Sequence, residues 1–127
     1  MVYAEPMTRD QELERCREWI ESALAFSGGT HEFSDIVEGI HSLRYQFWAA
    51  ERGCAVTEII VYPRKRVLHV FLAGGEMDQI LDMESSAAEF ARQQNCHGMS
   101  LAGRKGWSKV LKDYGWNEAF TTLSKEL

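Results

Sequence analysis

Val67-Leu68-His69-Val70-Phe71-Leu72-Ala73 runs through Gly74-Gly75 into Glu76-Met77-Asp78-Gln79-Ile80-Leu81, and the change of period at the glycines decides the fold. Residues 67–73 are apolar on both alternating sets apart from His69, the pattern of a central strand covered on both faces. Over residues 76–94 the period becomes helical. Met77, Ile80, Leu81, Ala87, Ala88 and Ala91 form one stripe, Phe90 sits at its edge and Asn95 closes it. Residues 97–102 return to a short strand. Strand, helix and strand in that order make a right-handed crossover between parallel strands.

On the N-terminal side, residues 45–50 read as an aromatic strand and Glu51-Arg52-Gly53 as a turn. Residues 54–62 form a second strand, rich in β-branched Val56, Ile59, Ile60 and Val61. The charged turn Pro63-Arg64-Lys65-Arg66 then leads back to the central strand, so three strands follow one another as an antiparallel meander. Further out, Leu13, Cys16, Ile20 and Leu24 predict a helix over residues 10–26, widened by Trp19 and Ala23, capped by Asp10 and ended by Gly28-Gly29. Ser34 caps a second, shorter helix carrying Ile36, Ile40 and Leu43. On the C-terminal side, Trp107, Val110 and Leu111 mark a helix over residues 104–114, Gly115 ends it, and residues 116–123 read as a last strand. The expectation is a single α/β domain spanning residues 1–127. Its mixed sheet is a meander followed by a strand–helix–strand unit, with helices on both faces.

Composition narrows the function. The chain has 127 residues, enough for one domain with a real core, and 45% hydrophobic against 26% charged residues is a globular mixture. A net charge of −5 repels a phosphate backbone, which argues against nucleic acid. Three widely spaced cysteines, Cys16, Cys54 and Cys96, fit a reducing compartment rather than a disulfide framework. The first ten residues lack a basic segment followed by an apolar core, and no apolar run is long enough to span a bilayer. A cytoplasmic protein without membrane contact is expected, whether in a host cell or in a virion. Cys96-His97 are adjacent, and His31, His41 and His69 have no ligand spacing around a cysteine pair, so no metal is expected. There is no Gly-x-Ser-x-Gly elbow, phosphate-binding Walker loop or paired-carboxylate motif.

Two helices, a three-strand meander, a strand–helix–strand unit, a helix and a strand in that order are similar to the GNAT acetyltransferase fold. The run Val67 to Ala73 lies where that family has its central fourth strand, and the helix from Glu76 lies where it has its cofactor helix. Lys109-Val110-Leu111-Lys112-Asp113-Tyr114-Gly115-Trp116 resembles the family's ending of a helix at Gly-Phe before a strand. The family's usual first strand is not visible. The small, acidic, tryptophan-rich character also resembles GNAT-like proteins encoded by bacteriophages. The resemblance implies acetyl-CoA as cofactor, with Leu72, Ala73, Gly74 and Gly75 at its binding loop.

Several residues depart from that pattern. The family cradles a pyrophosphate with Arg/Gln-x-x-Gly-x-Gly/Ala, because backbone N–H groups at a helix start face the anion. Here Gly74-Gly75 are followed by Glu76 and Asp78, carboxylates that satisfy the helix dipole themselves, by about 0.3–1 kcal/mol each. The glycines are either a reduced cofactor site or a tight strand-to-helix turn. Four residues before Gly115, where the family often has a general-acid Tyr, stands Leu111; Tyr114 is one residue from the glycine and faces elsewhere. A general base is sought in Glu58, whose strand face is otherwise Val56, Ile60 and Tyr62, and in His69. Each also reads as an ordinary strand residue. Arg64, Arg66 and Arg104 are candidate contacts for an anionic ligand or an acidic partner, or simply solvated turn charges. Four tryptophans suit either a small core or a protein interface. The first expectation is therefore a catalytically degenerate GNAT-like protein that binds other proteins, with phage structural proteins as candidate partners, and no cofactor. The alternative is an active acetyl-CoA-dependent N-acetyltransferase.

Overall fold

The computed structural model of the protein describes residues 7–104 and 106–127. Four strands, β1 (Tyr45–Ala50), β2 (Gly53–Tyr62), β3 (Lys65–Gly75) and β4 (Gly98–Leu101), form one sheet in the order β1-β2-β3-β4. The first three are antiparallel neighbours and β4 runs parallel to β3. The expected meander and strand–helix–strand unit are both present.

Helices α1 (Arg9–Arg15), α2 (Arg17–Leu24) and α3 (Phe33–His41) cover one face. Leu13, Cys16, Ile20, Leu24, Ile36 and Ile40 pack there against Tyr45, Cys54, Val56 and Leu72 of the sheet. Helices α4 (Met77–Asp82), α5 (Glu84–Gln93) and α6 (Gly106–Leu111) lie on the other face. Neighbouring strand residues point to opposite faces, so Ala55 and Thr57 meet Ile80, Leu81, Ala87 and Leu111 there. A smaller buried cluster of Leu68, Ala87 and Ala91 supports that side. Cys16 and Cys54 meet in the first core as free thiols, and burial pushes both up, away from reactivity.

Several expected boundaries move, each for a local reason. The first long helix is two, broken at Cys16, which has φ −91° and ψ 0°. Its cap is Thr8, not Asp10: Thr8 and Gln11 make a reciprocal capping box, which Asp10 with Leu13 at the third position cannot. Glu32, not Ser34, caps α3 through the same reciprocal arrangement with Asp35. The long helix after β3 is divided at Met83. β3 extends to Gly75, so Gly74-Gly75 belong to the strand rather than to a turn. Residues 116–127 form no strand: Phe120 is 86% exposed and Leu123 90%. A strand is stable only when its edge is paired, and aromatic and Thr content alone does not supply a partner. No helix among the described residues is long and apolar enough to cross a membrane.

Candidate functional site

The site starts from an irregularity in β3. Val56 pairs with Leu72 and Thr57 with Val70, so Phe71 is an extra residue with no opposite number on β2. A bulge of this kind bends a strand and increases its twist. At the same place β4 stops: it pairs with Val67, Leu68, His69 and Val70 and no further. From Phe71 to Gly75 one edge of β3 therefore has no strand partner among the described residues, and the sheet is open between β3 and the end of β4.

Beside this opening, register lines up four proton-handling side chains. Tyr45 is opposite Glu58, Glu58 opposite His69, and His69 opposite Ser100, one residue from each strand in sequence-wide order. All four lie on the α1–α3 face, since Tyr45 and Val56 do and each strand alternates. His69 Nδ1 lies 2.8 Å from Ser100 Oγ. Burial pushes the His69 imidazole below its ordinary value, against an opposing effect of the Glu58 carboxylate. The ring is thus neutral at pH 7. Glu58 is half-buried and also faces the Arg44 guanidinium. Tyr45 is buried; its hydroxyl accepts from Arg44 Nη2 at 2.8 Å and lies 3.5 Å from His31 Nε2. The Phe71 ring at the bulge is met edge-on by His31 at 4.8 Å and flanked by Tyr45 at 5.6 Å. Glu58 and His69, both read from the sequence as candidate bases, are brought together. Tyr45 and Ser100 were not read as site residues, because their only signal is cross-strand register.

The other sequence-derived candidates fall elsewhere. Leu72 is buried in the first core and Ala73 faces the opposite side. Gly74 is a contact glycine: a Cβ there would stand 2.7 Å from the Trp19 carbonyl oxygen, so its absence lets α2 lie close on the sheet. Gly75 has φ +101° beside Arg52 and Gly53, a conformation that favours glycine. Both have structural work independent of a phosphate. At the start of α4, Arg52 Nε donates to Glu76 at 2.6 Å, Arg52 also approaches Asp78 at 4.0 Å, and its backbone N–H donates to Gln79 Oε1 at 3.1 Å. The basic residue that the sequence lacked at this junction is thus supplied from the β1–β2 turn, already paired to carboxylates.

On the α4–α6 face, a cavity of about 50 Å³ adjoins the opening. Val70 and Ala73 of β3, Met99 and Leu101 of β4, and Trp107 and Trp116 line it. Trp116 Nε1 donates to Glu84 at 3.4 Å. Its position follows from the helix ending. Gly115 sits at φ 86°, its N–H bonds to Lys112 O, and the Trp116 N–H bonds back to Leu111 O. This is the Schellman arrangement, in which an apolar residue after the glycine packs on one in the last turn. Leu111 is that partner, 5% exposed, and Tyr114 is exposed. The position where a general-acid Tyr was sought is a packing position.

The three arginines do not converge. Arg66 Nε donates to the Gln94 carbonyl at the start of β3, and Arg64 stands exposed in the β2–β3 turn. Arg104 follows the end of β4, over the Phe26 ring at 4.3 Å. Because β3 and β4 are parallel, these are opposite ends of the sheet, so no common anion clamp forms. Among the described residues no group of three or more His, Cys, Asp or Glu could hold a metal ion.

No protein-family model and no curated protein matches the chain. Solved structures do. A Trypanosoma brucei acetyltransferase is 11% identical with a TM-score of 0.71, over 96% of this chain and 97% of that one. A predicted acetyltransferase with acetyl-CoA from Clostridium acetobutylicum is 14% identical with a TM-score of 0.69, over 94% and 92%. An aminoglycoside N-acetyltransferase in complex with CoA is 13% identical with a TM-score of 0.66, over 94% and 91%. The fold is that of the GNAT acetyltransferases.

Proposed function

We propose that the chain is an N-acyltransferase that takes an acetyl group from acetyl-CoA and passes it to an amine. The observation that carries this reading is the coincidence at Phe71 of the bulge, the end of β4 pairing and the Glu58–His69 pair. An open strand edge offers N–H and C=O groups to an extended chain, as in strand addition. The pantetheine arm of CoA carries two amides and fits such an edge along residues 71–75. The donor supplies an activated acyl carbonyl. His69, with the Glu58 carboxylate opposite it, supplies a group able to remove a proton from the attacking amine, a contribution of about 10²–10⁴ in rate. The shared fold of solved proteins holding acetyl-CoA or CoA supports the choice of donor. Calorimetry with acetyl-CoA tests the reading. Micromolar binding, with acetyl transfer that Glu58→Gln diminishes, is the expected result. No heat at millimolar acetyl-CoA would sink it.

A second reading has its own support. The start of α4 is occupied by Arg52 paired to Glu76, with Asp78 beside it, and the adjoining cavity is far below the roughly 300–1,000 Å³ of small-molecule sites. On this reading acyl transfer has been lost and the domain acts by binding another protein, with a phage particle as the setting. Absent acetyl-CoA binding, together with capsid, portal or tail genes beside its own, would favour it.

A further inference from the structure

Acyl transfer to an amine must dispose of one proton and supply another. The amine loses a proton as its nitrogen bonds to the acyl carbon, and the departing thiolate needs one as the C–S bond breaks. Leu111 cannot donate it, since its aliphatic side chain carries no acidic proton, and it is buried. We propose, resting on the acyl-transfer reading, that His69 carries that one proton from amine to sulfur, and that Ser100 is the positioning residue that holds the ring for the task.

The geometry is specific. Ser100 and His69 are register partners on parallel strands, and Oγ lies 2.8 Å from Nδ1. With the Nδ1–H donated to Ser100 Oγ, the ring keeps an unprotonated Nε2. The register partners of His69 are Glu58 on β2 and Ser100 on β4, and the Glu58 carboxylate is the charge that acts on the ring. Tyr45 stands in the same row on β1 with its hydroxyl already taken by Arg44. Glu58 is therefore the charge that faces the imidazolium once it forms. An imidazole, with an ordinary pKa of about 6.5, is nearer the operating pH than a carboxylate at about 4.3, so it both accepts and returns a proton readily. The steps balance. The N–C bond forms as the amine proton moves to Nε2. The C–S bond then breaks as that proton moves from Nε2 to sulfur, and the neutral ring is restored. Glu58 stabilises the cation between the two events and holds no transferred proton.

The first test reads the ring directly, by ¹⁵N NMR of His69 in the full chain. At neutral pH, Nδ1 should be protonated and Nε2 not. Ser100→Ala should give a tautomer mixture, and Ser100→Thr, which keeps the hydroxyl, should restore the single form. A wild-type ring protonated at Nε2, or a Ser100→Ala ring unchanged, overturns the role of Ser100 whatever the activity. The second test is kinetic. His69→Gln should lower kcat/KM by about 10²–10⁴-fold. Glu58→Gln should leave transfer measurable and move the acid limb of the pH profile to lower pH, because the charge that raises the imidazole is gone. Wild-type kcat/KM in His69→Gln overturns the shuttle. A wild-type chain that transfers no acyl group from acetyl-CoA to any amine overturns the acyl-transfer reading and the shuttle with it, while the NMR result still decides the tautomer.

Discussion

The two faces of the sheet share the same strands and differ in how they are filled. Under α1–α3, Leu13, Cys16, Ile20, Ile36, Ile40 and Val56 are fully buried in one continuous cluster, which includes Tyr45, the first residue of the row that runs to Ser100. Under α4–α6 the buried cluster is Leu68, Ala87 and Ala91, and a cavity of about 50 Å³ lies beneath Trp107 and Trp116. The face with the proton-handling row is thus continuously packed, while the opposite face, beside the open edge of β3, keeps a small cavity. The comparison teaches that the two helix layers seal the sheet unequally, the looser one lying where the β3 edge is open.

The largest effect is expected from breaking the better-packed face. Ile36→Ala should cost about 2–5 kcal/mol in urea unfolding, whereas Leu111→Ala should fall at the bottom of that range, because Trp107 and Trp116 beside the cavity can relax into the space. Equal losses would mean that the two faces are packed alike. Next comes Gly74→Ala, whose added Cβ meets the Trp19 backbone. A loss of about 1–3 kcal/mol and a lower thermal midpoint are expected, and an unchanged midpoint would show that α2 can shift without cost.

The cavity face is probed, on the acyl-transfer reading, by Trp116→Ala. If Trp116 stops the slot, acetyl-CoA should bind about tenfold tighter by calorimetry, which is about 1.4 kcal/mol. A weaker Kd would make Trp116 a wall against which the donor rests. The smallest effect concerns His69 and pH. Its folded-state pKa is lowered, so the unfolded chain takes up the proton first. Stability is complete above about pH 6.5 and declines as pH falls below it. Unfolding curves measured at successive pH values should show this slope, and His69→Gln should flatten it.

Much of this molecule could be read along the chain. The period change at Gly74-Gly75 located β3 and the helices after it, and β-branched and aromatic runs located β1 and β2. Glycines at 28, 29 and 115 marked helix ends. Those signals are local, arising from side-chain alternation, helical spacing and the conformational freedom of glycine, so the sequence alone determined the four strands in order, the mixed sheet and the fold class. Glu58 and His69 were legible as residue types but not as a pair. Only tertiary structure decided their meeting, the addition of Tyr45 and Ser100, and the bulge at Phe71 that opens the sheet beside them. It also decided that Arg52 reaches Glu76, that Arg66 and Arg104 stay apart, and that residues 116–123 remain outside the sheet. Each of these depends on register and packing between segments distant in the chain, where a shift of one residue turns a strand side chain to the opposite face.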